Sequence, residues 1–345
     1  MIENFAEKHK LPGFRIKQFD KAFYQEAINS FDELTTWPKD LREKLNDEVP
    51  FSSLDPINQL KSNDGKTTKI LFRRKVDKKC IESVLMRFKD GRNSVCVSCM
   101  VGCPVGCKFC ATGKMGFGGN LSADEIVDQV LYFQRLLKSK GNRVNGNKTL
   151  DAHLSNIVFM GMGEPMLNLK EVQKALAILT DPSKVALSER RITISTSGYV
   201  PQLKRLIASG FRGQIAVSLH APNQKLREKL MPVAKQHSLD ELLAVLDDYV
   251  EKTNKKVSYE YILISGVNDS DVNAQELIKL FKNRLAHINL IPYNPIPGVD
   301  FKRTDKSRVV EFAEILKQGG INTTIRITMG DDIKAACGQL ASNNH

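Results

Sequence analysis

The sequence predicts an α/β fold: a parallel sheet covered by helices and curled into a full or partial barrel, preceded by a small helical segment and a basic β-hairpin. Two observations predict the barrel. Between Ser122 and Thr328, apolar strand-like runs alternate with amphipathic helical segments, the pattern of a parallel sheet buried on both faces. These runs end in GMGEP, STSG, SLH and PYNP, polar stretches at the strand ends, where a barrel carries its chemistry. Strand-terminating turns alone account for the glycines and prolines, but less well for Glu164, His220 and Asn294.

Each element follows in order. Residues 1–60 read as a small helical accessory domain: FDKAFYQEAI and PKDLREKLND have apolar residues at helical spacing around a Trp37-Pro38 turn. Residues 61–93 hold two β-like runs, TKILFRRKV and KCIESVLMRF, joined near Asp77-Lys78 as a β-hairpin extension. Residues 94–328 hold the barrel. Its strands are expected in SNIVFMGMGEP, RRITISTSG, GQIAVSLHA, KVSYEYILISGVND, HINLIPYNP and NTTIRIT. Its helices are expected in SADEIVDQVLYFQRLLKSK, LKEVQKALAIL, VPQLKRLIASG, LDELLAVLDDYVEKT, DVNAQELIKLFKNR and SRVVEFAEILKQGG. In the first helix Ile126, Val130, Phe133 and Leu137 share a face behind a Ser122–Glu125 capping box, and Gly319 closes the last helix. Lys138 to His153 is polar, basic and aperiodic, an exposed insertion. Residues 329–345 form a C-terminal loop around Cys337.

The formal net charge of +12 points to a polyanionic partner, nucleic acid first. A solvated basic surface is the plainer alternative. Between Lys61 and Arg92, however, eleven lysines and arginines stand against four acids, a concentration better suited to contacting phosphates. No stretch is apolar over the ~18 residues that a membrane helix needs, and the N-terminus has no apolar signal region. A cytoplasmic monomer without membrane contact is expected. Seven cysteines in 345 residues do not suggest a disulfide framework. Clustered ones suggest metal or redox chemistry.

Cys103, Cys107 and Cys110 form CxxxCxxC, three soft ligands in a short span. A structural zinc site takes a fourth ligand, usually from a second pair, and the other cysteines (Cys80, Cys96, Cys99 and Cys337) are single. Three ligands and an open position fit an iron–sulfur cluster. Zinc completed by Cys99 or Cys337 remains the alternative.

With Phe109 ahead of its last cysteine, CxxxCxxC resembles the signature of the radical S-adenosylmethionine (SAM) enzymes. In these, three cysteines hold a 4Fe–4S cluster whose fourth iron binds SAM, inside a full or partial barrel. Over nearly the whole chain, CVSCMVGCPVGCKFCATGKMGF, FMGMGEPMLN, RRITISTSG, VSLHAP, LMPV, NLIPYNPIPG and GDDIKAACGQL are similar to the RlmN/Cfr family of RNA adenine methyltransferases. The resemblance implies a partial (β/α)6 radical-SAM barrel. Pro165 after Glu164 resembles the RlmN branch, which methylates adenine at C2; the Cfr branch, acting at C8, typically has Ala there. The implied substrate is an adenosine in the peptidyl-transferase region of 23S rRNA and, for some members, the adenosine next to the anticodon of tRNA. An electron donor such as flavodoxin or ferredoxin is implied too. A non-catalytic basic RNA-binding protein with a structural metal is the alternative from another class.

Adenine C2–H is neither acidic nor nucleophilic, so polar methyl transfer does not reach it, whereas radical chemistry does. The resemblance implies that one SAM methylates Cys337 and that a second is cleaved at the cluster to a 5′-deoxyadenosyl radical. That radical takes hydrogen from the Cys337 methyl group, the methylene radical adds to C2, and a base removes the C2 proton. A second thiol then attacks the Cys337 sulfur, forming a disulfide and releasing the RNA. Lone free cysteines are more often inert and buried, but the motif match makes Cys337 the methyl carrier, in a glycine-containing segment that suits a mobile loop.

The resemblance implies Cys96 as the resolving thiol, in the position the family uses. In SVCVSCMV, strand alternation puts Cys96 with Ser94, Ser98 and Met100, and Cys99 with Val95, Val97 and Val101 in the core. The family usually has Ser-Gln where this chain has Cys99-Met100. The resemblance also implies Glu82 as the base, a lone carboxylate on the face of Cys80, Val84, Met86 and Phe88, which burial would suit to proton transfer. An edge-strand Glu paired with Lys or Arg is the plainer reading. For SAM the resemblance implies Gly163, Glu164, Ser195, Ser218, Leu219, His220 and Asn294: glycine for close approach, Glu and Ser as acceptors. A satisfied core histidine is the plainer alternative for His220, and its placement at a strand end favours the site.

Overall fold

Ten strands form one sheet in a computed structural model of the protein, which describes residues 2–139, 143–144, 148–149 and 153–341. The first four are antiparallel: β1 (Leu54–Lys61), β2 (Thr67–Arg74), β3 (Cys80–Arg87) and β4 (Asn93–Cys96). From β4 the pairing is parallel through β5 (Asn156–Phe159), β6 (Ile192–Thr196), β7 (Gln214–Ser218), β8 (Val257–Leu263), β9 (Ala286–Pro292) and β10 (Thr323–Ile325). Between them lie helices Ala123–Ser139, Leu169–Thr180, Val200–Ala208, Leu239–Thr253, Asp271–Phe281 and Lys306–Gln318. Six strand–helix units and a closing strand make the partial barrel that the periodicity predicts, with β1 and β10 at opposite edges.

Local chemistry explains the fit. Ile126, Val130, Phe133 and Leu137 are all buried. Ser122 Oγ accepts the Glu125 N–H at 3.2 Å, and Glu125 Oε2 accepts the Ser122 N–H at 2.8 Å, closing the expected box. At the other end of the barrel Gly319 caps helix Lys306–Gln318, and the left-handed turn follows at Gly320 (φ +80°).

The chain departs from the sequence reading at its start. Helix Gly13–Asp20 continues into a wider turn, Lys21–Gln25, and helix Lys39–Glu48 follows. Phe19, Phe23, Phe31 and Trp37 pack ring against ring at one end of the main hydrophobic core. The unit sits on helix Ala123–Ser139, where Gln134 and Arg135 donate to the carbonyls of Tyr24 and Ile28. Strand β1 occupies residues expected to be helical. Its Pro56 hides it, and the register shifts there, between Pro56 and Asn58. The two expected hairpin strands are β2 and β3, and they are continuous with the barrel sheet. Most of the polar insertion from Lys138 to His153 lies outside the described residues. No helix among the described residues is long and apolar enough to cross a membrane.

Candidate active site

Strand β4 stops at Cys96. The chain then enters a short antiparallel ribbon, Met100–Gly102 against Phe117–Asn120, whose far end carries the cysteine loop. Backbone bonds fix that loop on three sides: Cys103 N–H to Gly116 O (2.7 Å), Lys108 N–H to Leu230 O (3.0 Å) and Ala111 N–H to Gly338 O (2.8 Å). Cys103, Cys107 and Cys110 pack on a small apolar cluster of their own that includes Val105, Phe109, Ile262 and Tyr293.

All three cysteines line a cavity of about 820 Å³, counting the space open to solvent. Burial pushes Cys103 up to about 12 and raises Cys107 and Cys110; neighbouring cysteines and Glu164 add to this at Cys103 and Cys107. Buried thiols of this kind become ligands only with a positive group between them, and soft sulfur donors alone suit iron–sulfur chemistry. The donor set therefore fits a cluster. Among the described residues no three His, Cys, Asp or Glu side chains converge as ligands of a single ion.

The C-terminal ends of the parallel strands complete this cavity, with Gly163, Glu164, Ser195, Ser218 and His220 all on its wall. Glu164 is buried, which raises its carboxyl, and bonds from Ser197 N–H and Oγ to its Oε2 (both 2.7 Å) oppose that. His220 is both a satisfied core histidine and a wall residue. Its Nδ1 accepts the Ile262 N–H at 3.0 Å and its ring meets Phe109 edge-on at 4.6 Å. Gly163 needs to be glycine for a reason other than ligand approach: at φ +103°, a Cβ would lie 2.6 Å from Met100 Cβ. Leu219 does not reach the cavity. Its side chain is in the main core and its N–H is taken by Glu260 O at 3.0 Å.

A second cavity, of about 510 Å³, adjoins the first. Met160, Ile291, Arg326 and Cys337 line both, so Cys337 stands on the partition. Cys96 lines only the second, with Val84, Met86 and Asn294. Asn294 holds the cysteine segment, donating from Nδ2 to Cys337 O at 3.2 Å. Cys96 is pushed up to about 12 by burial and then by Cys337, with Arg326 opposing. The segment expected to be a mobile loop is pinned along its length. Arg303 pairs with Asp331 (2.9 Å), Asn63 N–H binds Asp332 (2.8 Å), Lys69 Nζ binds Lys334 O (3.1 Å) and Thr112 Oγ1 binds Leu340 O (2.6 Å).

Three expectations change. Glu82 is not a lone carboxylate: Lys69 Nζ lies 2.8 Å from Oε1, the Ala341 N–H donates to Oε2 at 2.9 Å, and the residue lines neither cavity. It is the paired glutamate, though on an interior strand. All seven cysteines are free, so Cys96 and Cys337, whose disulfide the resemblance implies as a step of the reaction, are not joined as a standing bond of this fold. Cys99 is buried as expected but not through strand alternation, because β4 ends before it. Its carbonyl accepts from Leu121 N–H and Asn168 Nδ2.

Sequence reasoning missed Arg326 and Glu260. Glu260 Oε2 accepts from Asn289 Nδ2 at 2.9 Å and lies 3.5 Å from Arg326 Nη1. Arg326 is pushed up by Cys337 first, against burial, with Glu260 and Cys96 adding. The only sequence signal was a charged residue inside the apolar runs YEYIL and TTIRIT.

The Radical SAM superfamily family model matches residues 144–278. The chain is 41% identical over 340 residues to the probable dual-specificity RNA methyltransferase RlmN 2 of Protochlamydia amoebophila, covering 99% of this chain and 92% of that one. It is 40% identical over 349 residues to the ribosomal RNA large subunit methyltransferase Cfr of Bacillus velezensis, covering 99% and 95%. The crystal structure of a radical SAM methyltransferase from Sphaerobacter thermophilus superposes with a TM-score of 0.92 at 43% identity, covering 99% of this chain and 97% of that one.

Proposed function

Because the chain belongs to the RlmN/Cfr family of radical SAM RNA methyltransferases, we propose that it methylates the C2 carbon of an adenosine in 23S rRNA through a methyl group carried on Cys337. The single observation behind this reading is the position of Cys337 on a partition, with three clustered thiols in one cavity and Cys96 in the other. Cys103, Cys107 and Cys110 hold the cluster, which with SAM supplies the one-electron chemistry that an unactivated aromatic carbon requires. Gly163, Glu164, Ser195, Ser218 and His220 receive SAM in the first cavity, and the adenine enters the second. Leu219 and Asn294 act on SAM indirectly, by fixing the backbone of the β7 end and of the Cys337 segment.

The chain's own residues divide the remaining work. Cys337 accepts and delivers the methyl group across the partition. Arg326, on the wall of the second cavity with both cysteines, opposes the burial that raises the Cys96 thiol. Cys96 is the second thiol, which frees the product by attacking the Cys337 sulfur. Lys69 pairs with Glu82 in its buried place, and Glu82 becomes a base once Ala341 withdraws from Oε2 and opens it toward the second cavity, which Val84 and Met86 of the same strand line. The helical unit at the N-terminus and the exposed lysines in the turn after β2, Lys75, Lys78 and Lys79, bind RNA, tRNA included. A flavodoxin- or ferredoxin-type donor provides electrons to a monomeric enzyme.

Pro165 favours C2. The equal likeness to a Cfr protein keeps C8 as the second reading. Mass mapping of methyladenosine in RNA from a deletion strain, complemented with this chain, separates the two. In the same strain Cys337→Ala abolishes the modification, while the purified variant keeps its iron and sulfide. Methylation at C2 by Cys337→Ala would overturn the reading.

A further inference from the structure

Arg227 is fully buried, at 0% exposure, on helix Gln224–Leu230 beneath the cysteine loop. Its Nη2 donates to Ser197 O (2.7 Å) and Ser218 O (3.3 Å), the carbonyls where β6 and β7 end. Gly198 leaves room for it, since a Cβ there would lie 3.1 Å from Nη2. Nε and Nη1 have no hydrogen-bond partner, and no carboxylate pairs with the guanidinium among the described residues. A permanent charge buried in this way calls for a counter-charge. Burial lowers Arg227 to about 10, and the ionisable neighbour that pulls the other way is Cys107. The remaining titratable neighbour, His220, is held neutral, by burial first and then by Arg227.

We propose that Arg227 is the fixed counter-charge of the iron–sulfur group held by Cys103, Cys107 and Cys110, and that it raises the reduction potential of that group. The inference rests on the function proposed above. Thiolate ligands make the group anionic, and reduction adds one further negative charge. A permanent cation nearby stabilises the reduced form more than the oxidised one. The guanidinium stays protonated at working pH. Its helix is tied to the ligands: Leu226 and Leu230 pack in one apolar cluster with Cys103, Cys107 and Cys110, and the Lys108 N–H of the cysteine loop donates to Leu230 O. The step affected is a one-electron reduction by the external donor, with no bond in the protein made or broken. Sequence reasoning passed over Arg227 because, in QKLREKL, it reads as one more surface charge.

The test uses the full-length protein with its cluster reconstituted anaerobically, and a redox titration followed by electron paramagnetic resonance. Arg227→Gln, which keeps a donor but not the charge, and Arg227→Met shift the midpoint to more negative potential at unchanged iron and sulfide content. Arg227→Lys stays near wild type. A wild-type midpoint in Arg227→Gln overturns the inference, as does an Arg227→Lys shift equal to that of Arg227→Gln. If Arg227→Met does not fold, the Lys and Gln pair decides the sign. A wild-type chain that takes up no cluster would instead overturn the proposed function.

Discussion

His220 ties backbone geometry to charge. It has φ +56°, and the Ile262 N–H on Nδ1 leaves its proton on Nε2. Burial lowers the ring to about 3, so the folded chain refuses a proton that the unfolded chain accepts near 6.5. The stabilisation is complete above that pH and is lost as pH falls below it, at ~1.4 kcal/mol per unit. Asn keeps an acceptor in place of Nδ1 and tolerates positive φ. Urea unfolding from pH 7 to pH 5 should therefore cost wild type about 2 kcal/mol more than His220→Asn; equal losses would sink the assignment. Legibility at this scale followed sequence distance. Cys103, Cys107 and Cys110 were readable because their partners lie within eight residues. Arg326, Glu260 and Arg227 act on groups brought in by other strands, which spacing does not reveal.

At the scale of elements, the pinned segment around Cys337 joins the antiparallel and parallel parts of the sheet. Lys69 on β2 binds Glu82 on β3 and Lys334 O in the segment, and Glu82 also takes the Ala341 N–H. Lys69→Met leaves a buried carboxylate unpaired and should cost ~3–5 kcal/mol. Adding Glu82→Met removes the orphan charge and should restore most of that stability. In the double variant, hydrogen exchange at Ala341 should quicken while exchange along β3 does not. A single variant as stable as wild type would show that the pair does not hold the segment. The six barrel helices were legible because each shows a full amphipathic period. The ribbon Met100–Gly102/Phe117–Asn120 was not, since strands of three and four residues are too short to show alternation.

For the whole molecule, the surplus of positive charge divides between interior and surface. Lys69 and Arg74, two of the eleven basic residues between Lys61 and Arg92, are buried; Arg74 grips Glu125 at 2.7 and 3.1 Å. Composition showed the excess but not this division, because the acids that hold Arg74 and Lys69 in the interior, Glu125 and Glu82, lie on other elements. Lys75, Lys78 and Lys79 are exposed in the turn after β2, next to Val76 at 76% exposure. Lys79 Nζ reaches Gly118 O at 2.5 Å, which sets the turn against the ribbon that carries Phe117, itself 56% exposed. Exposed lysines interleaved with apolar side chains suit a single-stranded RNA segment. Each phosphate contact contributes ~0.7 to the salt dependence of binding to single strands. Replacing the three lysines with Ala should therefore weaken binding of an rRNA fragment and reduce the slope of log Kobs against log salt by about 2. Filter binding at several salt concentrations measures the slope. An unchanged slope would place the RNA on another face, away from the cysteine loop.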